Sequence, residues 1–159
     1  MTIRKAIDLD EVRKFISNQS PETKVYLGTD SERMNIDGTW YADYMTVVVV
    51  HINGKNGCRI FGQITRERDY DQRKDRPIIR LMNEVQKTAE MYLALADDLV
   101  DRVVELHLDI NPDEKHGSSV ALQKAIGYIR GTCNIVPMVK PNAWVASFAA
   151  DRYKLIEAA

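Results

Sequence analysis

Three observations predict an α/β fold in which helices flank a five-stranded mixed sheet. Residues 24–65 hold apolar runs of strand period, separated by Asn, Asp and Gly turn chemistry. Beyond them, stretches with helical spacing alternate with short apolar runs, the signature of parallel strands joined by helices. A short amphipathic stretch precedes all of this.

That leading stretch, about 8–18, has acids at Asp8, Asp10 and Glu11, ahead of Val12, Phe15 and Ile16. Acids in a first turn complement the helix dipole, so a short helix is expected. The first strand is expected over 24–30, with Val25, Leu27 and Thr29 on one face and Tyr26, Gly28 and Asp30 on the other. Asn35-Ile36-Asp37-Gly38 has turn chemistry. A second strand spans 40–51 with an unbroken valine run at 47–50, and a third spans 58–65 after two Asn/Gly turn signals. These three strands should form an antiparallel meander.

The stretch 66–76 carries five bases and four acids and reads as a self-paired, solvated loop. Pro77 then stands near a helix start, and Ile78, Met82, Val85, Ala89, Tyr92, Ala96 and Leu99 recur at helical steps. Residues 102–110 alternate as a fourth strand, with Glu105, His107 and Asp109 on its polar side. Ser118-Ser119 can cap a helix that Gly131 stops. A short fifth strand is expected over 134–139 and a final helix from 141 to about 156. The first, fourth and fifth strands should run parallel.

Carboxylates at strand ends lower stability unless water or a cation compensates them, so Asp30 and Asp109 stand out. Parallel neighbours bring their carboxyl ends to one rim of the sheet, where ligands of open α/β folds bind. Two carboxylates meeting there repel, and one takes up a proton unless a cation intervenes. Oxygen ligands of this kind suit Mg²⁺ or Mn²⁺, and two such ions can activate water in phosphodiester hydrolysis. The long helix offers Glu84 and Glu90. With Val85 at the stripe centre, Glu84 falls at roughly −100° on the border and Glu90 near roughly 140° on the solvated side, so Glu84 is the better ligand. Asp151 is a border residue of the final helix, near Phe148 and Leu155.

The order strand acid, helix acid, strand acid, C-terminal helix acid resembles the Asp-Glu-Asp-Asp set of ribonuclease H-like nucleases. The segments LGTDSE, LHLDIN and KPNAWVASFAADR resemble more closely the YkuK-like family of that superfamily, over about 25–153. The resemblance implies a ribonuclease H-like fold in which Asp30, Glu84, Asp109 and Asp151 are the metal-binding, catalytic acids. It also implies a metal-dependent nuclease working by a two-metal-ion mechanism, with nucleic acid as partner. The alternative is a non-catalytic nucleic-acid-binding or assembly protein on the same fold. A nucleotide phosphohydrolase is weaker, because no Gly-rich phosphate cradle is present.

Several residues carry competing roles. Asp30 in GTDSE could cap a turn, and Asp109 could bond the backbone of Asn111-Pro112. His107 could move a proton or bind metal, but a hydrogen-bonded structural histidine is favoured. Lys115 and His116 follow Asp109 in a loop, and on the resemblance a histidine there could aid product release. Lys140-Pro141-Asn142-Ala143-Trp144 could present a basic, aromatic surface to a nucleic-acid strand or simply start a helix.

Composition sets outer bounds. With 159 residues, 45% apolar and 28% charged, the chain reads as one domain, 1–159, able to bury about two-thirds of its unfolded surface. Cys58 and Cys133 match no metal or redox spacing, and no apolar leader or membrane-length run is visible, so a cytoplasmic protein with free thiols is expected. A net charge of −1 argues against binding nucleic acid by bulk attraction alone. Oligomeric state is not legible.

Overall fold

The structure is a computed structural model that describes residues 1–71, 77–113, 115, 117–146 and 151. Its elements are β1 (Thr2–Lys5), α1 (Leu9–Ser17), β2 (Lys24–Ile36), β3 (Thr39–His51), β4 (Cys58–Arg68), α2 (Ile78–Leu95), β5 (Val104–His107) and α3 (Leu122–Cys133). The sheet order is β1-β4-β3-β2-β5, with β2 and β5 parallel and the other pairs antiparallel. This is a mixed five-stranded sheet in an α/β fold, as the sequence predicts.

β2 and β3 pair without a break from Lys24↔His51 to Ile36↔Thr39. The turn between them is Asp37-Gly38, both with positive φ, 51° and 86°. Such a two-residue turn matches the right-handed twist of the strands it joins. β2 therefore runs six residues past the expected end at Asp30. The largely polar stretch Ser31 to Asn35 has weak strand propensity, but the tight turn commits it to the ladder.

Two segments differ from expectation at the sheet margins. β1 is an exposed strand paired with β4 through Thr2↔Arg66 and Ile3↔Thr65. Its ladder is made by backbone, so no buried periodicity marks it in the sequence. The expected strand 134–139 contributes a single parallel bridge, Met138 to His107. Met138 N donates to Leu106 O at 2.8 Å, and Leu108 N donates to Met138 O at 2.9 Å. Pro137 precedes it and has no N–H to extend a ladder.

The main core lies on the helix side of the sheet, where Val25, Leu27, Val48, Val50, Leu106, Leu108 and Ile110 meet α1, α2 and α3. Arg102 closes the end of α1 by donating to the carbonyls of Ile16, Gln19 and Ser20 at 2.8, 2.9 and 2.6 Å. α3 runs past Gly131 and ends at Asn134 (φ 56°), whose side chain tolerates the left-handed conformation. Ser118 does not cap α3; its Oγ accepts the Asn111 N–H at 3.0 Å and ties down the loop after Asp109.

The stripe expected on α2 is rotated. Its buried residues are Leu81, Glu84, Val85, Thr88, Ala89, Met91 and Leu95, while Ile78 is exposed. Two polar residues thus sit within the buried face, which shifts its centre toward Glu84. The described part of the charged stretch before α2, 66–71, is also no simple solvated loop; residues 72–76 lie outside the described residues. The Asp69 side chain is 1% exposed and ion-paired to Arg33, with Arg80 Nη1 at 3.8 Å. Asp71 accepts the Ile79 and Arg80 N–H groups at 2.9 and 2.8 Å, capping α2 from upstream. Asp71→Ala is expected to lower unfolding free energy by about 1 kcal/mol in denaturant titration, the usual loss for an N-cap.

The second face of the sheet buries Tyr26, Met45, Val47 and Val49 under Val145. Gly28 permits this approach. A Cβ there would meet Ala146 N at 2.9 Å, Ala146 Cα at 3.0 Å and His107 O at 3.1 Å, all backbone atoms. Gly28→Ala is expected to destabilise by about 1–3 kcal/mol, as overpacking does. A wild-type unfolding midpoint in that variant would show that the 145–146 segment is not held against β2.

Candidate metal centre

The parallel register places two of the acids. β2 and β5 pair up to Gly28↔His107, where β5 ends. Asp30 and Asp109 each lie two residues beyond that pair, so both reach the rim where β5 ends, Asp30 from mid-β2 and Asp109 from just past β5. Neighbouring strands are about 4.8 Å apart. Glu84 comes from α2, and α2 is pinned at this height by Thr88, one turn on, whose hydroxyl donates to Thr29 Oγ1 at 2.9 Å. Thr29 in turn donates to Thr46 Oγ1 at 3.1 Å.

Carboxylate oxygens of Asp30, Glu84 and Asp109 all lie within 4.8 Å of one another. Asp30 and Asp109 are half-buried, and Glu84 is 6% exposed. Burial pushes the Glu84 carboxyl well above its ordinary range, and the charges of Asp30 and Asp109 push it further. Arg80, one turn before it, and a hydrogen bond with Ser31 oppose the shift without cancelling it. Asp30 Oδ1 accepts the Ser31 N–H at 2.9 Å, a turn-like contact that coexists with its place in the group.

Asp109 is engaged by Lys140, whose Nζ lies 2.5 Å from Oδ1. That buried Oδ1 accepts no hydrogen bond of regular geometry among the described residues, so the contact is ionic rather than directional. A buried carboxylate oxygen with no hydrogen-bond donor of regular geometry among the described residues, beside two further carboxylates, fits a hard divalent cation such as Mg²⁺ or Mn²⁺.

Asp151 is in helical conformation and exposed, and it supplies no oxygen to this group. Most of the final helix expected to carry it lies outside the described residues, as does His116. Lys115 is exposed, and its N–H is held by Asp113 Oδ1 at 3.0 Å in the turn after Asp109.

His107 is buried, and its Nδ1 accepts from the backbone of Trp144 at 3.2 Å and Val145 at 3.4 Å. That leaves the proton on Nε2, 3.2 Å from Glu105 Oε2. Burial lowers the His107 pKa despite Glu105. A neutral histidine bonded on both nitrogens holds the Trp144–Val145 segment to the sheet, the structural role favoured from sequence.

Sequence reasoning missed the neighbours that tune the triad. Arg80 could have been found from its spacing, one turn before Glu84 on the same helix. No local signal links Lys140 to Asp109, because their approach depends on how two separate segments pack.

Fold and site define a class: an α/β protein with acids from a central strand, its parallel neighbour and the covering helix converging at one rim. A family model described as ribonuclease H-like matches residues 9–154, and the chain belongs to that family. No curated protein and no solved structure matches it significantly. Among the described residues, no helix is long and apolar enough to cross a membrane.

Proposed function

We propose that the protein is a metal-dependent nuclease that hydrolyses phosphodiester bonds at the rim formed by Asp30, Glu84 and Asp109. The observation that carries this reading is the convergence of three carboxylates within 4.8 Å, one of them buried, in a chain of the ribonuclease H-like family. Repulsion at such a spacing is relieved by a proton or by a cation. The Mg²⁺ or Mn²⁺ ions that suit these ligands supply Lewis-acid stabilisation of phosphoryl charge and a more acidic water when bound. The protein's own groups hold that centre in place. Asp30 and Asp109 approach it from adjacent strands, Glu84 closes it from the helix, and Thr88 and Thr29 fix the helix height. We assign Asp151, an exposed acid that supplies no oxygen to the triad, as the fourth acid of a two-ion arrangement, on the order of acids along the chain alone.

The test is cleavage of single-stranded, duplex, hybrid and junction nucleic acids with Mg²⁺ or Mn²⁺, against an EDTA control. Ion-dependent cleavage of at least one substrate supports the reading. Uniform inertness, with the chain folded, rejects it.

One observation favours a second reading, a nucleic-acid-binding protein without catalysis. The Lys140 ammonium, 2.5 Å from Asp109 Oδ1, offsets one carboxylate charge of the triad from within the chain. On that reading a divalent cation leaves thermal stability unchanged and binding persists in EDTA.

A further inference from the structure

We propose that the groove beside the triad is a subsite for one unpaired nucleotide, its base lying against Trp144 and its phosphate against the Lys140 ammonium. This deepens the nuclease reading and takes its substrate class from it. The groove has a volume of about 410 Å³ and is walled by Asn111, Pro112, Lys140, Pro141, Ala143 and Trp144. That volume lies within the range of small-molecule sites.

One wall is shared with the metal centre. Asn111 follows Asp109 by two residues, and Lys140 Nζ is 2.5 Å from Asp109 Oδ1. A strand whose scissile phosphate lies at the triad therefore has its neighbouring nucleotide at this groove. Trp144 is 42% exposed, unlike a core tryptophan, yet it is held. Its ring stands at 69° to Tyr26 and 83° to His107, with centroids 5.4 and 5.7 Å away. Its backbone N–H is tied to His107 Nδ1. A fixed aromatic ring loses little entropy on accepting a base, and stacking on such a ring tolerates any base.

Charge sets the orientation. The Lys140 side chain is 40% exposed, so it can meet a phosphate while facing Asp109. Asp113 lines the other part of the groove, its carboxylate folded back on the Lys115 N–H. An anion is disfavoured beside Asp113 and a neutral base is not.

Trp40→Phe leaves Trp144 as the sole indole of the chain, which has two tryptophans. Titrating that variant in EDTA with octamers of thymidine (DNA) or uridine (RNA) is expected to quench Trp144 emission saturably, and an abasic octamer is not. Response to one sugar or to both identifies the strand type. Trp144→Leu should weaken octamer binding, read by anisotropy, by roughly 5- to 150-fold, the range for one stacked base. Lys140→Gln should flatten the salt dependence by about 0.7 in log–log slope, the value for one phosphate of a single strand. No binding of either octamer, binding that leaves Trp144 emission unchanged, or equal affinity for the abasic octamer overturns the subsite. Quenching as expected in a chain that cleaves nothing with Mn²⁺ supports the subsite and removes the nuclease reading. Cleavage without quenching does the reverse.

Discussion

Asp30→Asn is expected to reduce ion-dependent cleavage by about a thousandfold or more while leaving the fold intact. Residues that merely orient metal ligands alter activity by about 10- to 100-fold when replaced, and a ligand itself should exceed that. The side chain is isosteric, and its Oδ1 can still accept the Ser31 N–H at 2.9 Å. It pairs through its backbone with Met45 in the middle of a thirteen-residue ladder, which the substitution does not touch. Removing its charge also relieves one of the two repulsions acting on Glu84. Cleavage should collapse, then, with an unfolding midpoint equal to or above that of the wild type. Cleavage within tenfold of the wild type by a folded Asp30→Asn chain would take Asp30 out of the centre.

The second large effect concerns stability. In EDTA, Glu84 holds its proton in the folded state far above the pH at which the unfolded chain releases it, because burial and then the two neighbouring aspartates penalise the charge. Its stabilising contribution is therefore complete below its ordinary pKa of 4.5 and is lost as pH rises through the folded value. The slope from this one group is at most about 1.4 kcal/mol per pH unit. Glu84→Gln has no charge to bury, so in EDTA at neutral pH it should be more stable than the wild type and should lack that slope. Mn²⁺ reverses the comparison. At about one hundred times its Kd, a cation that binds only the folded wild type adds about 2.7 kcal/mol. For a chain of this size that is roughly 5–11 °C in Tm. The gain should grow with pH, since the cation displaces a proton, and should vanish in Glu84→Gln. A wild type whose Tm ignores both Mn²⁺ and Mg²⁺, or a Glu84→Gln chain less stable than wild type in EDTA, would count against a cation centre at this rim.

The register explains why Asp30 and Asp109 were legible early. Both end apolar runs, and parallel strands bring such ends together wherever they pair. Glu84 was less clear. Counted on apolar residues alone it fell on the border of the α2 stripe, yet Glu84 and Thr88 lie within the buried face. Polar residues buried for a purpose are invisible to a pattern that scores only hydrophobicity. The same limit hid Asp69, whose carboxylate is sealed between Arg33 and Arg80 in what reads as a solvated charge run. The N-terminal strand escaped for a different reason, since an exposed edge strand buries nothing and leaves no period behind.

Local chemistry was enough to determine the meander, the alternation of strands with helices, a turn within Asn35-Ile36-Asp37-Gly38 and the acids that close two apolar runs, because period, turn chemistry and polarity are properties of neighbouring residues. The rotation of α2 that buries Glu84, the approach of Lys140 to Asp109 and the passage of Ala146 across Gly28 were decided only by tertiary packing. Those contacts join segments far apart in the chain, and their free energy depends on the distance and burial that assembly creates rather than on any residue's own preference.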